Sequence, residues 1–258
     1  MYSIQINCIK QERVSYLESW DKAIALSAEN VMVILANLSE YRSLDCYDYL
    51  MSDYEKKRLN TLFLRSSKDS FRLSRLIGRL FPSSLCGMSP DKIRISQENE
   101  FTKPFYPEDY NGLQFNISHT NEYVAVVFDK NRDVGIDVET YMKSFHIGII
   151  ADQYFTMEER KQIQAAENRI LQFFTFWTRK EAVIKLMGYK LLHYIKNIEV
   201  LDGSNVCPLP SKSNHDIIKT VSVPIENSHF LSVAFTESAD IPVYYKLKAL
   251  DLKSRLSK

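Results

Sequence analysis

The longest apolar runs in this 258-residue chain stop at strand length, and "VMVILANL", Val31 to Leu38, is typical of them. Such a run is too short to cross a bilayer, which takes roughly 20 apolar residues, and it suits a strand buried in a sheet. Further strand signals fall at Ile4 to Ile9, Ile93 to Ser96, Phe115 to Ser118, Tyr123 to Phe128 and Val134 to Glu139, and late strands at "HFLSVAF" and "IPVYYKLKAL". Helical patterns lie between them. One runs from about Ser52 to Phe81 and is closed by Pro82; a second opens on Thr156 with Glu159 three residues later; a third spans Asn168 to Met187, with Gly188 as its stop. Strands and helices mixed in both halves predict an α+β chain of two subdomains, 1–131 and 132–258.

Charge and cysteine usage limit what such a chain does. The formal net charge is +1, which argues against a general nucleic-acid or membrane-surface binder, since those carry a marked excess of Lys and Arg. Cys8, Cys46, Cys86 and Cys207 are far apart and form no C-x-x-C pair, so the usual zinc and redox signatures are missing. No cationic segment followed by a long apolar stretch opens the chain. These features predict a soluble cytoplasmic protein.

Four groups of residues carry chemistry. Arg65, Lys68, Arg72, Arg75 and Arg79 follow a helical spacing that puts all five on one face, where arginine forks could meet a polyphosphate or simply face water. In "FNISHT", Asn116, Ser118, His119 and Thr120 supply donors at a strand end, with Lys103 upstream; a capped turn explains the segment equally well. Ser118 and His119 are adjacent, so on a strand they face opposite ways and do not form a nucleophile and base. In "DVGIDVET", Asp137 and Glu139 share one face of a strand, and crowded carboxylates call for a cation or for water. Magnesium, with its oxygen ligands, is the natural cation. In "FWTRKEAVIK", Trp177, Glu181 and Lys185 recur every four residues on one helix face, either as part of a site or as a packing residue beside a surface ion pair.

The order "FNISHT", then "VGIDVE", then "WTRKEAVIK" resembles the signature of the 4'-phosphopantetheinyl transferases of the larger, surfactin-type class. "TKP" and "YFTMEE" are similar to flanking blocks of that family, although Thr102 stands where the family usually has glycine. The resemblance implies two similar subdomains related by a pseudo-twofold axis, with coenzyme A in a cleft between them. It implies Mg²⁺-dependent transfer of 4'-phosphopantetheine from coenzyme A to a serine of an apo acyl or peptidyl carrier protein, releasing adenosine 3',5'-bisphosphate. By position, Asp137, Glu139 and Glu181 would ligate magnesium, and Lys185 would contact the diphosphate. Arg58, Arg75, Lys103, Ser118 and His119 would hold the coenzyme, and Glu159 or Glu181 would take the serine proton. Gly135 would give room for a close approach or mark a strand bulge. Two fused halves suit a monomer with no nucleic-acid partner. The alternative is a Mg²⁺-dependent phosphodiesterase acting on a nucleotide diphosphate.

Overall fold

Two long helices, each preceded by a short helix with the same kind of start, organise the chain. Ser52 accepts a hydrogen bond from the Glu55 N–H while the Glu55 carboxylate accepts from the Ser52 N–H. Thr156 and Glu159 repeat that capping box about a hundred residues later. In chain order the first elements are β1 (Tyr2–Lys10), α1 (Trp20–Leu26), β2 (Met32–Asn37), α2 (Asp53–Thr61), α3 (Arg65–Cys86), β3 (Leu113–His119), β4 (Tyr123–Lys130) and β5 (Val134–Thr140). There follow α4 (Ile147–Tyr154), α5 (Met157–Ala165), α6 (Arg169–Leu186), β6 (Gly203–Leu209), β7 (Ile217–Ile225), β8 (His229–Thr236), β9 (Val243–Lys246) and α7 (Ala249–Leu256). The computed structural model describes residues 2–41, 43–98, 102–141, 147–188, 192–209, 217–226, 228–236 and 241–256. No helix among them is long and apolar enough to cross a membrane.

The chain divides into two compact units, one of residues 1–14 and 133–241 and the other of 15–132 and 242–258. Contiguous subdomains of 1–131 and 132–258 do not describe this division, because each terminus is paired into the sheet of the distant half. The first unit has a five-stranded sheet in the order β5-β8-β7-β1-β6, where β1 runs parallel to β7 and antiparallel to β6. The second has a four-stranded sheet in the order β3-β4-β2-β9, where β9 runs parallel to β2. A sequence pattern marks a strand but not its neighbour, so the exchange of termini left no local signal.

Inside both units three antiparallel strands recur with the last of them in sequence lying between the other two: β5-β8-β7 in the first and β3-β4-β2 in the second. In the second, α3 lays Leu73, Leu76, Ile77, Leu80 and Phe81 into the core, a stripe at helical spacing. Phe81 stacks on Phe128 at 4.2 Å and meets the edge of Trp20 at 5.8 Å. The expected helix from Ser52 to Phe81 is broken into α2 and α3, and α3 continues through Pro82 to a left-handed cap at Gly87. Proline removes the hydrogen bond to the carbonyl four residues earlier. That carbonyl, on Gly78, instead accepts the Tyr106 hydroxyl at 2.6 Å.

The remaining differences from the sequence pattern have similar local causes. The segment from Ile93 to Ser96 makes only a single bridge, Ser96 to Phe105. "IPVYYKLKAL" is a strand only over Val243–Lys246, and Ala249 opens α7. Strand β7 went unannounced because Thr220 and Ser222, both fully buried, interrupt its apolar alternation.

Candidate active site

Strand β5 is an edge strand, and alternation puts Gly135, Asp137 and Glu139 on one of its faces. Helix α6 lies directly on that face. A Cβ built on Gly135 would sit 2.0 Å from the Ala182 carbonyl oxygen and 2.5 Å from the Leu186 nitrogen, both of the α6 backbone. Register between β5 and β8 is unbroken from Val134 to Thr140, so Gly135 marks a helix approach rather than a bulge. Only glycine lets the helix come this close.

That approach brings the two motif residues of α6 to the strand. The Lys185 Nζ donates to Asp137 Oδ1 at 2.7 Å, with Asp137 only 4% exposed. Glu139 is pushed up to about 7, chiefly by burial, then by Asp137, with Glu181 adding to the shift and Lys185 opposing it. Glu181 is raised by burial and by Asp137, again against Lys185. The Trp177 indole N–H hydrogen-bonds to Glu139, and its ring stacks on Phe173 at 6.2 Å with 5° between planes. Tyr154 and Phe155 close on it edge-to-face. Trp177 is thus a packing residue that also orients a carboxylate.

Among the described residues no three Asp, Glu, His or Cys side chains close around a point that could hold a metal ion. The donor chemistry nevertheless suits a hard divalent cation. Asp137 and Glu181 both raise Glu139, and Asp137 raises Glu181, so three carboxylates gather here, all offering the oxygen that magnesium takes.

Glu159 belongs elsewhere. It is fully buried and accepts from the Thr156 N–H at 2.8 Å, from the Val200 N–H at 3.0 Å and from Lys180 at 2.9 Å. Lys180, also fully buried, donates to the carbonyls of Ile195 and Ile198 as well. Glu159, expected as one of two candidates to take a substrate proton, is thus held inside the fold by an ion pair and two backbone N–H groups. The pair fixes α5 and the 192–198 segment to α6. Sequence reasoning passed over Lys180 and Arg179 because a charged residue on a helix is normally solvated.

The second unit holds the other candidates. The basic face of α3 is largely neutralised by acids from outside the helix. Glu55 of α2 pairs with Arg79 at 2.6 Å and Arg75 at 3.3 Å, and Asp48 takes Arg72 at 2.8 and 2.9 Å. Arg75 is buried, its guanidinium lowered to about 10 by desolvation. It donates to Gln97, whose amide reaches the Thr102 carbonyl beside Lys103. Arg75, expected to contact the coenzyme, is thus tied to Glu55 and, through Gln97, to the segment carrying half-buried Lys103. Arg58 is half-buried on α2 and donates to Thr61 at 3.2 Å. Ser118 is buried and His119 exposed at the end of β3. Thr120 accepts from the N–H groups of Glu122 and Tyr123, capping the turn into β4.

Comparison with known proteins bears on the first unit most strongly. Residues 133–231 match the model of the 4'-phosphopantetheinyl transferase superfamily. The 4'-phosphopantetheinyl transferase gsp of Aneurinibacillus migulanus is 33% identical over 149 residues, 55% of this chain and 59% of that protein. HetI, a 4'-phosphopantetheinyl transferase of a Nostoc species, is 26% identical over 142 residues, 54% of this chain and 60% of its own length. The transferase psf-1 of Bacillus pumilus is 31% identical over 116 residues, 43% of this chain and 48% of its own. The chain thus spans about half to three-fifths of these relatives. The region that matches the superfamily model contains Gly135, Asp137, Glu139, Glu181 and Lys185.

Proposed function

We propose that the protein transfers 4'-phosphopantetheine from coenzyme A to a serine hydroxyl of an apo acyl or peptidyl carrier protein and releases adenosine 3',5'-bisphosphate. The observation that carries this reading is the meeting of Lys185 and Asp137 beside Glu139 and Glu181 in the region shared with the superfamily. The pseudo-twofold relation of the halves and the coenzyme cleft implied by the resemblance are part of the same proposal. So is action as a cytoplasmic monomer.

In this reading Asp137, Glu139 and Glu181 would hold Mg²⁺, which would supply positive charge to the diphosphate oxygens. Lys185 donates to the diphosphate and stabilises charge that grows as the bond breaks. Trp177 keeps Glu139 turned toward the site. The serine oxygen bonds to the phosphorus bearing the pantetheine arm, and the leaving phosphate departs on the adenosine. The serine proton passes to Glu181, directly or through a water, because Glu159 is closed off by Lys180 and two backbone N–H groups. Arg58, Lys103, Ser118 and His119 bind the coenzyme's phosphates and adenosine.

Mass spectrometry of a panel of apo carrier proteins incubated with coenzyme A, Mg²⁺ and this protein tests the proposal. At least one carrier should gain the mass of the phosphopantetheine arm. Release of nucleotide from coenzyme A without any acceptor, and with no carrier modified, would overturn transfer in favour of phosphodiester hydrolysis.

A further inference from the structure

Beneath α6 a row of polar residues crosses three strands. Asp137 of β5 lies opposite Ser232 of β8, and Ser232 lies opposite Ser222 of β7, so all three share the face that α6 covers. Both serines are fully buried. Arg179 Nε of α6 donates to Ser222 Oγ at 2.9 Å, Ser222 meets Ser232 at 2.9 Å, and Ser232 meets Thr178 Oγ1 of α6 at 2.7 Å. Thr178 in turn donates to the Phe174 carbonyl at 2.9 Å. Because guanidinium can only donate, one direction of the chain gives every hydroxyl proton an acceptor: Arg179 to Ser222 to Ser232 to Thr178 to Phe174.

The rest of Arg179 is held equally firmly. Its remaining nitrogens reach the Val200 carbonyl at 2.8 Å and Asp202 at 2.6 Å, and the side chain is fully buried. One residue further, Lys180 is held on another side of the helix by Glu159. Successive helical residues are turned by about 100°, so partners at 178, 179 and 180 fix the rotation of α6 just before Glu181. A buried arginine tied to the strand row that contains Asp137 does more than pack.

We propose that the Arg179–Ser222–Ser232–Thr178 chain is a positioning device that sets the rotation of α6, and with it the aim of Glu181 and Lys185 at the Asp137 row. Arg179 is the positioning residue. The inference rests on the proposed reading of Asp137, Glu139 and Glu181 as cation ligands, and it goes beyond that reading by assigning a role to residues that touch neither coenzyme nor carrier.

The test uses Mn²⁺ alone as probe, its free concentration read by electron paramagnetic resonance, with Mg²⁺ as competitor, on the full chain and the variants Ser222→Ala, Arg179→Met and Arg179→Lys. Melting curves are recorded alongside. Ser222→Ala should fold and melt close to wild type, yet its half-saturating Mn²⁺ should rise about tenfold, as for lost support around metal ligands. Arg179→Met should bind still more weakly, with Arg179→Lys recovering part of the loss. Wild-type Mn²⁺ affinity in folded Ser222→Ala overturns the proposal, whatever Arg179→Met does. Failure of the wild type to bind Mn²⁺ overturns it as well. Mn²⁺ binding with these shifts, but without transfer to any carrier, would sink the transferase reading and leave the positioning role standing.

Discussion

The two units lock their long helices by the same device and use the result differently. In the second, the capping-box residue Glu55 receives Arg75 and Arg79 of α3, and Asp48 receives Arg72, so most of the basic face is absorbed by the fold. In the first, Glu159 receives only Lys180 of α6, and the next turn sends Glu181 and Lys185 to β5. A charge on a helix is scaffold when an acid from a neighbouring element meets it in the core. On α6, Lys185 is instead brought to Asp137 beside two further carboxylates, Glu139 and Glu181. The difference is set less by the helices than by what lies beneath them. Under α6 a glycine permits backbone contact, and two rows across β5, β8 and β7 read Gly135-Ala234-Thr220 and Asp137-Ser232-Ser222.

The glycines offer the largest contrast. Gly135→Ala should destabilise the protein by about 4 kcal/mol or more, or prevent folding, because backbone atoms of α6 occupy the space. For a chain of this size that is a fall in Tm of roughly 10 °C or more by differential scanning calorimetry. Gly78→Ala meets side chains rather than backbone, the tip of Ile95 at 3.0 Å and the Phe115 ring at 3.6 Å, and lies in a helix, so its stability should stay within about 1 kcal/mol of wild type. Equal effects would remove the distinction between the two helix seats.

The next contrast lies in the locks. Lys180→Met strands a buried carboxylate and should cost about 3–5 kcal/mol in urea unfolding. Arg79→Met should cost less, since Arg75 stays 3.3 Å from Glu55. A larger loss for Arg79→Met would show that the locks are not equivalent in the way described. The proposed transfer separates the units more cleanly. Lys185→Met should slow transfer about tenfold to a hundredfold, the worth of one charged hydrogen bond. Arg72→Met, whose guanidinium is held by Asp48, should leave the rate of folded protein unchanged. The smallest effect belongs to Arg65, 89% exposed and 3.6 Å from Asp69. Arg65→Ala should shift stability by no more than about 0.5 kcal/mol, measurable by the same unfolding curves.

The sequence made some of this architecture readable and hid the rest for physical reasons. Strands β2, β4 and β5 and helix α6 were plain because uninterrupted apolar runs and helical periodicity report burial directly. The motif residues of α6 and β5 were readable because alternate strand positions and fourth helix positions share a face. Partnership was not readable. The basic face of α3 was open to either a phosphate or a solvated reading since its acids, Asp48 and Glu55, come from earlier segments. Glu159 looked like a base since a capping box does not show that its carboxylate is buried. Thr220, Ser222 and Ser232 broke the apolar pattern of buried strands, and the same hydroxyls support α6.

The central claim is that the Asp137 row under α6 is where the first unit turns a shared scaffold into a transfer site. Asp137→Asn keeps the shape of the side chain and removes its charge. Its transfer of phosphopantetheine to an apo carrier protein that the wild type modifies, followed by mass spectrometry at saturating coenzyme A and Mg²⁺, measures that claim most directly. The account predicts a wild-type-like melting curve with almost no modified carrier. Transfer by Asp137→Asn at near the wild-type rate would contradict it.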